Sequence, residues 1–334
     1  MQYNDRIYGS VEIKESVILE LTACPAIQRL KEIDCSGYMK PHFPNIERSR
    51  FEHSLGVFLL LRKYNASLEE QIAGLIHDVS HSAFSHCVDY ALAAGSQKEQ
   101  SHQDNVFDAF VRQTEIPKIL AKYNIDVNYI LDEKNFPLEE NNIPDICADR
   151  IDYFLREGTI FKELSQSQLQ KFLTNLTVKN NNWIFKNYAV ASEYAQLFSR
   201  LNKVYWSGLP SAIMFITVGN FLKRALAQKY ITERDLYATD QAVLAQTKKH
   251  LAQDEILNTW WQRMNAPTKY FTSDPQDYDQ LVHVKSRIVD PLCQHQGKTK
   301  RVSDIDEKWK KIVGQELKPK EYFIKFGKVE NHRF

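Results

Sequence analysis

Apolar residues return at helical spacing through most of the chain. Ser67 followed by Glu70 has the form of a capping box and predicts a helix start. Ile72, Leu75, Ile76 and Val79 then share one face, the face a helix turns to a core, while Gly74, His77, Asp78 and His81 lie on the neighbouring one. Upstream, Pro25 suits a first helical turn, and Ile27, Leu30 and Ile33 make a stripe that ends near Gly37. Pro41 and Pro44 mark 38–49 as a loop. A helix is predicted over 50–64, with Phe51, Leu55, Phe58 and Leu59 directed inward and His53 among them.

Downstream, a break at Ala94-Gly95-Ser96 precedes a helical pattern from His102 through Val106, Phe107 and Phe110. A polar linker over 135–144 ends at Pro144, which opens a predicted helix over 145–157. On that helix Asp149, Tyr153 and Glu157 share a face at i, i+4 and i+8. Asp152 points elsewhere, can pair with Arg156, and reads as structural. Leu176-Thr177-Val178 and Trp183-Ile184-Phe185 flank a turn and predict a hairpin. Helical patterns follow over 189–229 and 241–264, 321–326 is strand-like, and the alternation over 7–13 suggests a short strand or extended arm. The expected fold is mainly α, with a small β-hairpin and a mixed α/β C-terminal part. Its expected divisions are a catalytic core at 1–165, a hairpin and helices completing that core at 166–235, and a mixed region at 236–334.

With 334 residues, 43% hydrophobic and 25% charged, the chain has the composition of a globular protein with a sizeable core. A formal charge of +1 gives no general attraction to nucleic acid or membrane, and neither is expected as a partner. From Lys285 onward 13 Lys/Arg stand against 7 Asp/Glu, a local +6 that reads as a solvated face. The five cysteines are scattered without a C-x-x-C pair, so neither a disulfide framework nor a cysteine-rich zinc site follows. No signal segment is visible and the apolar run 213–222 is too short to span a bilayer, so a cytoplasmic location is expected.

The candidate chemistry begins where the 67–79 stripe ends, because His77, Asp78, His81 and His86 follow it directly. An unpaired buried carboxylate costs several kcal/mol, so Asp78 needs a cation or a strong hydrogen-bond donor. Taken alone, the His77-Asp78 pair fits either a metal site or a carboxylate bonded to His77 or to a backbone amide. Five of the ten histidines, His53, His77, His81, His86 and His102, fall within fifty residues, a clustering that core packing does not explain. His42, His250, His283, His295 and His332 lack such a context and read as surface or loop residues. Phe198, Tyr205, Trp206 and Phe215 read as core.

Three motifs then combine: Arg50-Phe51-Glu52-His53-Ser54-Leu55-Gly56-Val57, His77-Asp78 with His81 and His86, and Ala148-Asp149-Arg150-Ile151-Asp152-Tyr153-Phe154. Together they resemble the HD-domain phosphohydrolases, and most closely the deoxynucleoside triphosphate triphosphohydrolase branch that includes the bacterial dGTPases and the mammalian SAM-and-HD-domain enzyme. The similarity covers roughly residues 5–160 and implies an HD-domain helical core. It implies that His53, His77, Asp78 and Asp149 are ligands to a divalent transition metal (Mn, Fe, Zn or Ni), with Mg an option on the substrate phosphates. His81 and Asp89 match polar residues close to the reacting phosphate and water, and His102 matches a further catalytic histidine. Either His81 or His102 could protonate the leaving oxygen. Arg50 and His86 match groups that hold the α-phosphate, and Arg150 a basic residue, usually Lys, beside the phosphates. Tyr153 and Glu157 match the pair that touches the sugar, with Glu replacing the usual Asp.

Three positions depart from the branch. Cys35 stands where a glutamine helps exclude ribose, and the His-Glu pair reads His102-Gln103. The arginine that grips the terminal phosphate has no counterpart at matching spacing, although Arg200 and Lys203 lie in its region. The resemblance implies an enzyme, usually a homo-oligomer, that hydrolyses nucleoside or deoxynucleoside triphosphates to nucleoside and tripolyphosphate. Its alternatives are an HD-type nucleotidase or phosphodiesterase acting on a monophosphate or diester, and a non-catalytic nucleotide-binding regulatory protein. Loss of a metal ligand would mark the last of these, and none is lost.

Overall fold

The computed structural model describes residues 1–44 and 46–329, so Asn45 of the predicted loop and the predicted surface residue His332 lie outside the described residues. The chain opens as an antiparallel pair, β1 (Gln2–Asp5) and β2 (Gly9–Glu12), where a single strand or arm over 7–13 was expected. The Asp5 carboxylate folds the turn by accepting from the Ile7 and Tyr8 N–H groups at 2.8 and 3.0 Å, and Gly9 supplies a φ of +76°. Short helices α1 (Ser16–Ala23) and α2 (Pro25–Gln28) lead to α3 (Arg50–Lys63) and α4 (Leu68–Ile76). After α5 (His102–Arg112), α6 (Ile116–Lys122) and α7 (Val127–Leu131) comes α8 (Ala148–Ile160), then α9 (Gln166–Asn175). The predicted hairpin is β3 (Leu176–Lys179) with β4 (Asn182–Phe185).

The long helical pattern over 189–229 divides into α10 (Tyr188–Leu201) and α11 (Leu209–Ala227), joined by a wide turn at Asn202–Trp206. Gly208 lets that turn fold back, since a Cβ there would sit 2.6 Å from the Lys203 carbonyl oxygen. The pattern over 241–264 divides likewise into α12 (Asp240–Thr247) and α13 (Glu255–Asn265), because Asp254 caps the second piece through the Leu257 N–H at 3.0 Å. The remainder comprises β5 (Phe271–Ser273), β6 (Gln280–Val284), β7 (Leu292–His295), β8 (Lys298–Arg301), α14 (Glu307–Glu316) and β9 (Lys320–Phe326). One sheet runs β3-β4-β7-β8 and another β5-β9-β6. The fold is mainly α with small sheets, as expected.

Helix α3 organises the site-bearing half. It is buried on both flanks: Leu55, Phe58 and Leu59 enter one apolar cluster with α1, α2 and α4, while Val57, Leu60 and Leu61 enter another with α8, α9 and α10. A helix that is apolar nearly all round belongs in the middle of a structure, and each fully buried aliphatic or Phe side chain contributes roughly 1.5–3 kcal/mol. Two glycines set how closely its neighbours approach. A Cβ on Gly56 would meet Asp152 and Arg156 of α8 at 2.1 Å, and one on Gly74 of α4 would meet Leu61 at 2.6 Å. No helix among the described residues is long and apolar enough to cross a membrane.

Local signals are redirected at three places that shape the site. Ser67 caps α4 through the Glu70 N–H at 3.1 Å, but the Glu70 carboxylate turns to the Leu138 N–H at 2.8 Å and ties down the 135–144 linker. Helix α4 ends at Ile76, short of Val79, where the Val79 N–H turns to the Ile76 carbonyl at 2.9 Å, and Arg29 holds the chain beyond it through the Val79 and His81 carbonyls at 2.8 and 2.7 Å. Helix α8 begins at Ala148 because Asp145 pairs with Arg301 at 2.5 Å and the Pro144 carbonyl accepts from the Asp290 N–H at 2.7 Å.

Candidate metal centre and its cavity

Helix α3 starts at Arg50 because Ser49 accepts from the Glu52 N–H at 3.3 Å, and this puts Arg50 and His53 on the turn that faces the end of α4. The chain leaving α4 there carries His77 and Asp78, and α8 brings Asp149. The Nε2 atom of His53 lies 2.9 Å from Asp149 Oδ1 and 3.8 Å from Asp78 Oδ2. His77 Nε2 lies 3.7 Å from Asp149 Oδ1 and 3.6 Å from Asp78 Oδ1. Ligand atoms of His53, His77 and Asp149 all fall within 4.8 Å of one another. Asp78 stands beside this trio with Oδ2 held by Arg50 Nη1 at 2.5 Å and Oδ1 3.3 Å from His81 Nε2.

The donor set fits a divalent transition metal. His77 Nδ1 donates to the Gly74 carbonyl at 2.8 Å, which leaves Nε2 as the free lone pair, and that buried Nε2 has no hydrogen-bond partner. Two imidazoles with carboxylates beside them suit such an ion. Burial by itself disfavours a charged His53, yet Asp149 and Asp152 raise it to about 9. Burial is likewise outweighed at His77, which Asp78 and Asp149 raise to about 10. The carboxylate field that draws protons here also draws a cation, and metal binding displaces those protons. A second grouping of Glu140, Cys147 and Asp149 is different, because Arg150 reaches Glu140 and the Cys147 sulfur, both at 2.9 Å. A cation already stands there.

Asp152 was expected to be structural through Arg156. The pairing is present, with Arg156 holding both carboxylate oxygens at 2.9 Å. The same carboxylate also accepts from His53 Nδ1 at 2.8 Å and from the Tyr8 hydroxyl at 2.9 Å. Asp152 therefore fixes the orientation of His53, as carboxylates behind ligand histidines do. Sequence spacing shows the Arg156 contact and hides the other, because His53 comes from a different helix.

A cavity of about 570 Å³ opens over this cluster. Cys35, Arg50, His81, His86, Arg150, Tyr153 and Glu157 line it together with His53, His77, Asp78 and Asp149. Asp89 and His102 are not among the lining residues. Asp89 lies behind His86 at 3.8 Å and accepts from the His102 backbone N–H at 3.1 Å, while His102 Nε2 turns to the Tyr237 hydroxyl at 3.1 Å. Gln103 lines the cavity and accepts from Ser80 Oγ at 2.6 Å. Burial, reinforced by Arg50, holds His81 well below the ordinary histidine value. Burial, followed by Arg287 and Arg50, does the same to His86. Glu157 has both oxygens engaged, one by the buried Arg48 and the other by Trp206 Nε1 at 2.6 Å.

Several lining residues run against the sequence expectations. Tyr205, Trp206 and Phe215 border the cavity as well as packing in the core. Lys285 and Arg287, expected on a solvated face, also point into it, and so does Asp104. The sequence gives no local sign of Asp104. For the two cations the sign was there, in their i, i+2 spacing next to a strand. His42 sits in a loop as expected, but its ring nitrogens are buried without partners, and burial lowers it to about 4. His283 and His295 lie in β6 and β7, and His250 stacks on Tyr230.

The fold is mainly helical, and its histidine–aspartate cluster is able to hold a metal at the floor of a polar cavity. An HD-domain family model matches residues 50–157. The chain is 32% identical to the uncharacterized protein YdhJ of Bacillus subtilis, over 93% of this chain and 94% of that one. It is 30% identical to the metal-dependent phosphohydrolase cns2 of Cordyceps militaris, over 71% of this chain and 70% of that one. With the mouse deoxynucleoside triphosphate triphosphohydrolase SAMHD1 it shares 29% identity over 39% of its own length and 23% of the relative's. A hypothetical protein from Aquifex aeolicus shares the fold with a TM-score of 0.74 at 18% identity, covering 98% of this chain and 96% of that one. The chain belongs to the HD-domain family of metal-dependent phosphohydrolases.

Proposed function

We propose that this protein is a nucleotide phosphohydrolase that cleaves nucleoside or deoxynucleoside triphosphates to nucleoside and tripolyphosphate, with His53, His77, Asp78 and Asp149 as ligands to a divalent transition metal. One observation carries the reading. A single cavity joins the histidine–aspartate cluster to the cations Arg50, Lys285 and Arg287 and to an aromatic corner of Tyr153, Tyr205 and Trp206. Tyr153 links the two ends, its ring centroid 6.4 Å from that of His53 and 5.0 Å from that of Trp206. Phosphate at the cluster and its cations, with sugar and base along the aromatic side, accounts for these three groups.

Held by His53, His77, Asp78 and Asp149, a divalent metal would lower the pKa of a water, to about 7 in favourable cases, and would supply charge for the phosphoryl oxygens. Arg50 is fixed for the α-phosphate, its Nε donating to Ser85 Oγ at 2.8 Å and its Nη2 to the Cys35 carbonyl at 2.6 Å. His86 adds a neutral N–H donor beside it. His81 lies in the cavity, 3.3 Å from Asp78, and as a neutral imidazole offers an N–H donor to the phosphoryl oxygens, whereas His102 faces Tyr237. Tyr153 faces the sugar, and Glu157 acts through Trp206 and Arg48, holding the aromatic wall in place.

Product identification tests the reading. Mn- or Fe-loaded protein, given ribo- and deoxyribonucleoside mono- and triphosphates, is expected to yield tripolyphosphate and nucleoside. Inorganic phosphate as the sole product would make it a nucleotidase, and no product from any nucleotide would leave a regulatory binding protein. Sugar selectivity is tested at Cys35, which lines the cavity beside Arg50 with a thiol that burial pushes well up. Cys35→Gln is expected to shift the kcat/KM ratio toward deoxyribose on the order of tenfold, since a longer amide crowds the ribose 2′ position. An unchanged ratio would count against Cys35 as a sugar contact.

A further inference from the structure

Lys285 and Arg287 lie on the extended stretch that follows β6. Ser286 between them is buried, its Oγ accepting from Asn202 Nδ2 at 3.0 Å, while the Arg287 N–H donates to Asn202 Oδ1 at 3.0 Å. Alternation in an extended chain then sends residues 285 and 287 to the opposite side, where both line the cavity. The segment is pinned beyond this point too, because Ile288 and Val289 enter the core and the Asp290 N–H reaches the Pro144 carbonyl at 2.7 Å. Arg287 Nη2 donates to Gln100 Oε1 at 3.2 Å, and the buried Gln100 amide donates in turn to the Tyr90 hydroxyl at 3.1 Å. These cations are placed before any ligand arrives.

They also lack a direct ion pair among the described residues, although Asp104 and Glu140 line the same cavity. Arg48, Arg150 and Arg156 each pair with a carboxylate, but neither Lys285 nor Arg287 does so among the described residues. Burial and the neighbouring Arg287 lower the Lys285 ammonium, with Asp104 acting in the opposite direction. Both cations act on His86 together with Arg50, so the positive groups converge on one end of the cavity. Like charges gathered in half-buried surroundings repel one another and favour a polyanion between them. Arg200 and Lys203, the basic residues closest by sequence to the family's terminal-phosphate arginine, instead pair with Glu163 and Glu316 and do not line the cavity.

We propose that Lys285 and Arg287 bind the outer phosphates of a nucleoside polyphosphate and so give the cavity its preference for triphosphates over monophosphates. This subsite rests on the nucleotide phosphohydrolase reading above. It places substrate length under the control of the C-terminal part of the chain, outside the segment that carries the family motifs.

The test uses the full-length, metal-loaded protein and its Lys285→Gln and Arg287→Gln variants, with Arg287→Lys to retain the charge. Binding of inorganic tripolyphosphate and of inorganic phosphate is measured by calorimetry, beside steady-state kinetics on one nucleoside triphosphate. Each glutamine variant is expected to weaken tripolyphosphate binding and raise the triphosphate KM about tenfold or more, with kcat changed far less and phosphate binding kept. Arg287→Lys should recover most of the loss. Glutamine variants that bind tripolyphosphate as the parent does, or that lose phosphate and tripolyphosphate equally, overturn the proposal, as does a parent that binds no tripolyphosphate. A parent that turns over no nucleotide, yet binds tripolyphosphate in a Lys285- and Arg287-dependent way, defeats the catalytic reading alone. If a glutamine variant does not fold, Lys285→Met keeps the aliphatic stem and gives the same comparison.

Discussion

His77→Ala is expected to release the metal and lower turnover on the order of a thousandfold or more, because the activated water and the charge on the phosphoryl oxygens leave together. His77 is the cleanest ligand to remove. Its Nδ1 is committed to the Gly74 carbonyl, and its buried Nε2 has no protein hydrogen bond to lose. The side chain sits at the cavity wall, where its removal enlarges an existing cavity, so the fold should persist. Asp149→Ala should release the metal equally, but with a larger stability change, since it strips His53 Nε2 of its 2.9 Å partner. Metal content per chain, measured by elemental analysis after gel filtration, checks both. A His77→Ala protein that retains the parent's metal would remove His77 from the ligand set.

Asp152→Asn should weaken metal binding by about 10- to 100-fold without touching a ligand, the range expected when the carboxylate behind a ligand histidine is lost. Asp152 is fully buried, and its charge answers both His53 Nδ1 and the guanidinium of Arg156, which is itself 1% exposed. The amide is isosteric but neutral. It leaves Arg156 with Asp5 at 3.1 Å and Glu52 at 3.4 Å, and it no longer selects the His53 tautomer. Breaking a buried ion pair on one side typically costs about 3–5 kcal/mol, so urea unfolding should report a clear loss as well. Competition with a chelator separates the two effects, because it reads metal affinity on the folded protein. Parent-like affinity in a destabilised variant would make Asp152 a purely structural residue, as its spacing to Arg156 first indicated.

That contrast marks where sequence stops being informative. The mainly helical fold, the starts of α3 and α4 and the hairpin at β3 and β4 are local: caps, apolar periodicity and turn residues act over a few positions. The motif residues His53, His77, Asp78 and Asp149 were legible for a related reason, since their order and residue types are tied to those helices. What failed was local pattern overridden by a distant partner. Arg29 holds the chain after α4 through two carbonyls, Glu70 left its capping box for Leu138, and Asp145 gave up helix α8 for Arg301.

The same physics separates the parts of the site. By itself the sequence determined which groups could bind a metal and a phosphate, because imidazole, carboxylate and guanidinium chemistry belongs to the residue. Only the tertiary structure decided which of them meet. It set Asp152 against His53 as well as Arg156, placed Asp89 and His102 behind the cavity, and engaged both oxygens of Glu157 with Arg48 and Trp206. It also carried Lys285 and Arg287 from the C-terminal part of the chain into the lining of the cavity. Contact between side chains far apart in sequence depends on which helix faces pack and how closely, and at this site Gly56, with no room for a Cβ between α3 and α8, sets that distance.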